Sequence, residues 1–152
     1  MIYVTKRVKW AMSHRLGRGY SGSCTNLHGH EYYADIKVGA KMLNQQGMVV
    51  DFKLLKDVIG SFLDFIDHAT MVDSEDTQLK KVLETIGSKT KTVPFNPTAE
   101  NMAQWMLDEL NAGLVEFGRL YDFSLEPREV KVVSVKIYET ATSWAEAVTD
   151  DK

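Results

Sequence analysis

Cys24-Thr25-Asn26-Leu27-His28-Gly29-His30, running on into Glu31-Tyr32-Tyr33-Ala34-Asp35-Ile36-Lys37-Val38, decides how the chain is read. Beyond His30 the even positions are Tyr32, Ala34, Ile36, Val38, Ala40 and Met42, whereas the odd ones include Asp35, Lys37 and Lys41. A period of two over this length predicts a strand from about His30 to Leu43 with one buried face. His28 and His30 carry the parity of that apolar face, so an extended backbone points both imidazoles the same way. Neutral imidazole is the commonest protein ligand for metals. A catalytic zinc site typically takes three protein ligands and leaves one position open. The one cysteine of the chain, Cys24, stands four residues before the first histidine of the pair.

The third imidazole is found upstream. Apart from Lys6, the even positions Ile2, Val4, Val8, Trp10 and Met12 are apolar and alternate with Tyr3, Thr5, Arg7, Lys9 and Ala11, which predicts a first strand over 2–12. His14 follows with the parity of Trp10 and Met12. Two neighbouring strands then bring His14, His28 and His30 together at one end of a sheet, on its core side, provided no bulge flips the parity. Between the strands, Gly17, Gly19, Gly22, Ser21 and Ser23 predict a loop carrying Arg15 and Arg18.

Asn44-Gln45-Gln46-Gly47 reads as a turn and Asp51 as a helix N-cap. Phe52, Leu55, Ile59, Phe62, Leu63 and Ile66 follow at helical spacing. Asp67-His68 comes at or just after the end of that helix, and a carboxylate beside an imidazole orients it and raises its basicity. Residues 71–94 are polar, with only a short helical pattern through Leu79, Val82, Leu83 and Ile86. Thr98 caps a second long helix with Glu100 in its first turn and an apolar stripe through Met102, Trp105, Met106, Leu110 and Leu114. Residues 116–128 read as a loop or irregular arm. Val130 to Tyr138 alternates again, and Glu139 continues its apolar face, an expensive place for a carboxylate without donors. A short strand over 143–148 ends the pattern. The resulting expectation is an α+β domain of order ββααββ, a four-stranded antiparallel sheet with two helices on one face.

The chain has 152 residues, enough for one domain with its own core over 1–152. Its net charge of -3 gives no electrostatic reason for a nucleic-acid partner. No stretch approaches the roughly 20 apolar residues of a membrane span. A single cysteine forms no internal disulfide, which fits a reducing, cytoplasmic setting.

Taken together these residues resemble the 6-pyruvoyl-tetrahydropterin synthase and 6-carboxytetrahydropterin synthase family over nearly the whole chain. The resemblance is carried by Ser13-His14-Arg15-Leu16, the Cys24 to His30 signature, Val50-Asp51-Phe52-Lys53, Asp67-His68, Pro97-Thr98-Ala99-Glu100-Asn101 and Tyr138-Glu139-Thr140, in the family's order. It implies a tunnelling fold whose subunits form trimers that stack into a hexamer, with active sites between subunits. It implies Zn2+ on His14, His28 and His30, Cys24 as general base, and His68 oriented by Asp67 as its relay. Glu139 would accept the ring N–H and NH2 of a pterin side by side, and Thr98 would add a weaker pterin contact. Arg15, Arg18, Lys53 and Lys56 are read as solvated charges rather than ligands of a triphosphate.

The substrate implied is 7,8-dihydroneopterin triphosphate. Cys24 argues against the branch that places glutamate there, and its spacing to the histidines favours the 6-carboxy branch, a lyase releasing acetaldehyde on the route to queuosine and other 7-deazaguanines. The pyruvoyl branch is the alternative. A zinc-dependent pterin or purine binder without turnover stays open, as does a structural zinc protein, which requires four closed ligands.

Overall fold

The alternation in the first two strands becomes one long hairpin. In the computed structural model, which describes residues 1–120 and 128–149, β1 spans Ile2–His14 and β2 spans His28–Ala40. They pair antiparallel from Ile2 opposite Ala40 to His14 opposite His28. Trp10, Met12, Tyr32, Ala34, Ile36 and Val38 all lie on the buried face, as the period of two requires.

The connection passes through a short 3-10 turn, Ser23–Thr25, that holds Cys24. Next come α1 (Phe52–Leu63), β3 (Ala69–Asp73), α2 (Thr77–Thr85), β4 (Thr90–Val93), α3 (Ala99–Leu120), β5 (Lys131–Tyr138) and β6 (Trp144–Val148). The Asp51 carboxylate accepts the Lys53 N–H at 2.8 Å and starts α1. The apolar stripe of α3, including Met102, Met106, Leu110 and Leu114, packs with Leu55 and Ile59 of α1 against the even face of the hairpin.

The sheet corrects the four-stranded expectation. It has six strands in the order β4-β3-β1-β2-β5-β6. β1, β2, β5 and β6 form the expected antiparallel part. β3 and β4 add to the other edge of β1 in parallel, making the sheet mixed. A third helix, α2, links these added strands, so the order ββααββ omitted a β-α-β unit. Its helix coincides with the short pattern read through Leu79 and Leu83, which are buried against Val72 in a small cluster of their own. The arm expected over 116–128 is in part helix, because α3 continues to Leu120; residues 121–127 of that arm lie outside the described residues, and Arg128 lies in a turn before β5. A shift of register at Lys37/Val38 between β2 and β5 lies far from the histidines, so it leaves their parity intact.

Candidate metal centre and its surroundings

The antiparallel register sets His14 directly across from His28, and His30 opposite Met12. Same-face neighbours in such a pair stand within reach of each other's side chains. The ring centroids of His14 lie 4.7 Å from His28 and 5.3 Å from His30, and His28 and His30 are 4.9 Å apart. Glu139, just past β5, reaches the same place. One ligand atom from each of His14, His28, His30 and Glu139 lies within 4.8 Å of all the others.

The tautomers are set by the backbone. His14 Nδ1–H donates to the Pro97 carbonyl at 2.7 Å, and His28 Nδ1–H donates to the Asn26 carbonyl at 2.7 Å. Each ring therefore turns the lone pair of Nε2 inward, the arrangement by which metal-binding histidines are oriented. The Nε2 atoms of His28 and His30 are buried without a hydrogen-bond partner. His30 Nε2 lies 3.3 Å from a Glu139 oxygen, within ion-pair distance but without hydrogen-bond alignment. Burial pushes the His14 and His30 imidazoles below their ordinary range, which favours the neutral form a metal needs. Buried, unpartnered imidazole nitrogens converging beside a carboxylate fit a divalent transition metal, and nitrogen donors favour zinc or its neighbours over calcium or magnesium.

Two groups at this site carried no signal in the linear pattern. Tyr32 is fully buried, and its hydroxyl meets His14 Nε2 at 3.3 Å. Burial, then the charges of Glu139 and Cys24, push that hydroxyl far up, so it stays a neutral donor. Tyr20, in the loop, has its hydroxyl pushed up by the charge and hydrogen bond of Cys24, with a smaller effect from Glu139. Cys24 thus lies in the surroundings of the histidine cluster, half-buried and with its own carbonyl held by the Leu16 N–H at 2.8 Å.

Asp67 and His68 are anchored on β1. His68 adopts a left-handed backbone, φ +59°, uncommon outside glycine. It is held there by Ala11 of β1: His68 N–H donates to the Ala11 carbonyl at 2.7 Å, and Ala11 N–H donates to Asp67 Oδ1 at 3.0 Å. Asp67 Oδ1 also faces His68 Nδ1 at 3.0 Å. Burial opposes ionisation of Asp67, but these donors hold its carboxyl below the usual range. The His68 ring is 80% exposed. It borders an open hollow of about 390 Å³ lined by Ser13, Gly29 and Glu31 and also by Met12 and by His30 of the histidine cluster. Within one chain, then, His68 is partnered by Asp67 and not by Cys24.

Thr98 behaves as a cap: its Oγ1 accepts the Asn101 N–H at 3.3 Å. Its neighbour Pro97 matters more, through the carbonyl that orients His14. Arg15 and Arg18 are not solvated charges. Each forks onto a carboxylate, Arg15 on Asp76 and Arg18 on Asp73. Lys53 and Lys56 are exposed on α1, as expected.

The family model described as 6-pyruvoyl tetrahydropterin synthase matches residues 3–150. The chain belongs to that family. Among its curated relatives, a 6-carboxy-5,6,7,8-tetrahydropterin synthase from Aquifex aeolicus is 38% identical, covering 90% of this chain and 87% of the relative. Another of that name from Rickettsia bellii is 32% identical over 96% of this chain and 99% of its own. In fold the chain is similar to the crystal structure of an uncharacterized protein from Wolinella succinogenes, with TM-score 0.77 and 22% identity over 98% of both chains. It is also similar to the 6-pyruvoyl tetrahydropterin synthase of Caenorhabditis elegans, with TM-score 0.67 and 22% identity over 98% of this chain and 96% of the other. Within this 6-pyruvoyl tetrahydropterin synthase family, the histidine cluster described above is the place where the chemistry has to be sought.

Proposed function

We propose that this family member is a zinc-dependent 6-carboxy-5,6,7,8-tetrahydropterin synthase. It takes 7,8-dihydroneopterin triphosphate and one water and forms 6-carboxytetrahydropterin, releasing acetaldehyde and triphosphate, as a lyase serving queuosine and other 7-deazaguanine synthesis. The observation that carries this is the convergence of three imidazoles, two of them oriented by backbone carbonyls, with Cys24 in their surroundings. The names of the curated relatives support the 6-carboxy product over the pyruvoyl one.

His14, His28 and His30 would hold the zinc ion. Bound there, zinc supplies Lewis acidity toward the hydroxyls of the substrate's side chain. The chain's own residues do the rest. Cys24, as thiolate, removes a proton from the side chain, and Tyr32 offers a neutral hydroxyl at the floor of the site. Glu139 accepts two N–H groups from the pterin edge, which would offset the cost of keeping its carboxylate among imidazoles.

His68 and Asp67 are proposed to receive the proton from Cys24 of a neighbouring subunit in a homohexamer built as a dimer of trimers. The exposure of His68, whose ring is partnered by Asp67 alone among the described residues, favours this arrangement. The decisive test is incubation with 7,8-dihydroneopterin triphosphate and identification of the products. 6-Carboxytetrahydropterin with stoichiometric acetaldehyde is expected. 6-Pyruvoyltetrahydropterin without acetaldehyde would assign the other branch, and no triphosphate release would defeat the enzyme reading altogether.

A further inference from the structure

The loop that carries Cys24 is fastened to the β-α-β unit that the sequence did not reveal. Arg15 donates through Nε and Nη2 to both oxygens of Asp76, at 2.6 and 2.7 Å. Arg18 makes the same two-pronged contact with Asp73 and reaches the Pro94 carbonyl at 3.2 Å. Paired forks of this kind are among the strongest polar contacts and fix geometry as well as charge. Asp73 is only 5% exposed, so its carboxylate depends on these donors and on the Glu75 N–H at 3.1 Å. Asp76 also caps α2 through the Leu79 N–H, so one carboxylate ties the helix and the loop together.

Between the two arginines, Leu16 touches the cysteine segment directly. Leu16 N–H donates to the Cys24 carbonyl at 2.8 Å. Gly17 N–H is held by Asn96 Oδ1 at 2.9 Å. Arg18 itself is left-handed, φ +53°, followed by Gly19 at +84°, and Tyr20 N–H closes this turn on the Gly17 carbonyl at 3.1 Å. A left-handed arginine is unfavourable unless its surroundings hold it, and the Asp73 and Pro94 contacts do so. The turn delivers the Tyr20 ring over Gly22, where an added Cβ would lie only 2.2 Å from the tyrosine hydroxyl oxygen. Gly22 therefore leaves the space by which Tyr20 reaches the cysteine.

We infer that the Arg15–Asp76 and Arg18–Asp73 pairs are a positioning device for Cys24: the β3-α2 corner fixes Leu16, and Leu16 fixes the backbone of the cysteine. The arginines act through the loop and do not touch substrate. The inference rests on reading Cys24 as the base, so its test is independent of turnover. Cys24 is the one cysteine in the chain, and its reaction with iodoacetamide reports its exposure in the assembled, zinc-loaded protein without ambiguity. Arg18→Gln and Asp73→Asn each should raise the alkylation rate at fixed pH by at least about threefold. The double variant should do no more than either single one, because the two residues share one contact. Zinc content should be unchanged, and the Leu16 amide should exchange faster with deuterium.

Leu110→Ala, a core change remote from the loop, controls for general loss of stability and should leave the alkylation rate near that of the parent protein. If Asp73→Asn does not fold, Arg18→Gln, at a partly exposed side chain, still decides the matter. An unchanged rate in Arg18→Gln overturns the inference, as does an equal rise in Leu110→Ala. A parent protein without turnover would defeat the proposed reaction while leaving the alkylation result to stand or fall by itself.

Discussion

Glu139 is the residue on which the kind of metal centre turns. Its carboxylate stands 3.3 Å from His30 Nε2, within the same cluster as the three imidazoles. A fourth protein ligand would close the coordination shell and make the centre structural, whereas three ligands leave room for substrate. The two roles separate on substitution. Glu139→Gln should keep one zinc per chain, measured by metal analysis, because the orientation of His14 and His28 comes from the Pro97 and Asn26 carbonyls and not from the carboxylate. The same variant should raise KM for the pterin substrate at least about tenfold, since a bidentate, charge-assisted contact is replaced by a neutral amide. Loss of zinc from Glu139→Gln would make the residue a ligand and remove the open position.

At the level of elements, the added β3-α2-β4 unit makes a prediction about acid. Arg18 holds the Asp73 carboxyl below its usual range, and Arg15 does the same for Asp76. A carboxyl depressed in the folded state contributes stability above its unfolded value, about 4, and that contribution is lost as pH falls through the folded value. Urea midpoints measured from pH 7 to pH 2 should show Asp73→Asn less stable than the parent at neutral pH, with the two curves converging below about pH 4. A constant gap at all pH values would mean that the pair contributes by shape alone.

This unit is also what the sequence concealed. The hairpin, α1, α3, β5 and β6 were legible because each carries one buried face, so period two or 3.6 is written in its residues. β3 is buried on both sides at all five positions, which erases alternation in a parallel strand. β4 has four residues, three of them polar at an edge. Asp67 and His68 were found by pattern, but their anchoring to Ala11 was not, because it follows from how β3 joins β1. Tyr20 and Tyr32 were likewise invisible as site residues: one sits in a loop, and the other reads as ordinary core.

For the whole molecule, the proposal that His68 serves Cys24 of a neighbouring subunit requires that no single chain is complete. If the site is assembled from two subunits, Cys24→Ala and His68→Ala should each be inactive alone. Mixed oligomers formed by joint refolding or co-expression should regain up to about a quarter of parental turnover, since some interfaces then combine an intact cysteine with an intact histidine. No recovery in verified mixed oligomers would place both residues in the same subunit's site. The claim beneath all of this is that one metal, gripped by His14, His28 and His30, is indispensable to turnover. Stripping the protein with a chelator and titrating zinc back while following triphosphate release tests it most directly. Turnover should be absent in the stripped protein and rise to a break at one zinc per chain, with no recovery in His28→Ala; full turnover without metal, or an undiminished zinc titration in His28→Ala, would contradict the account.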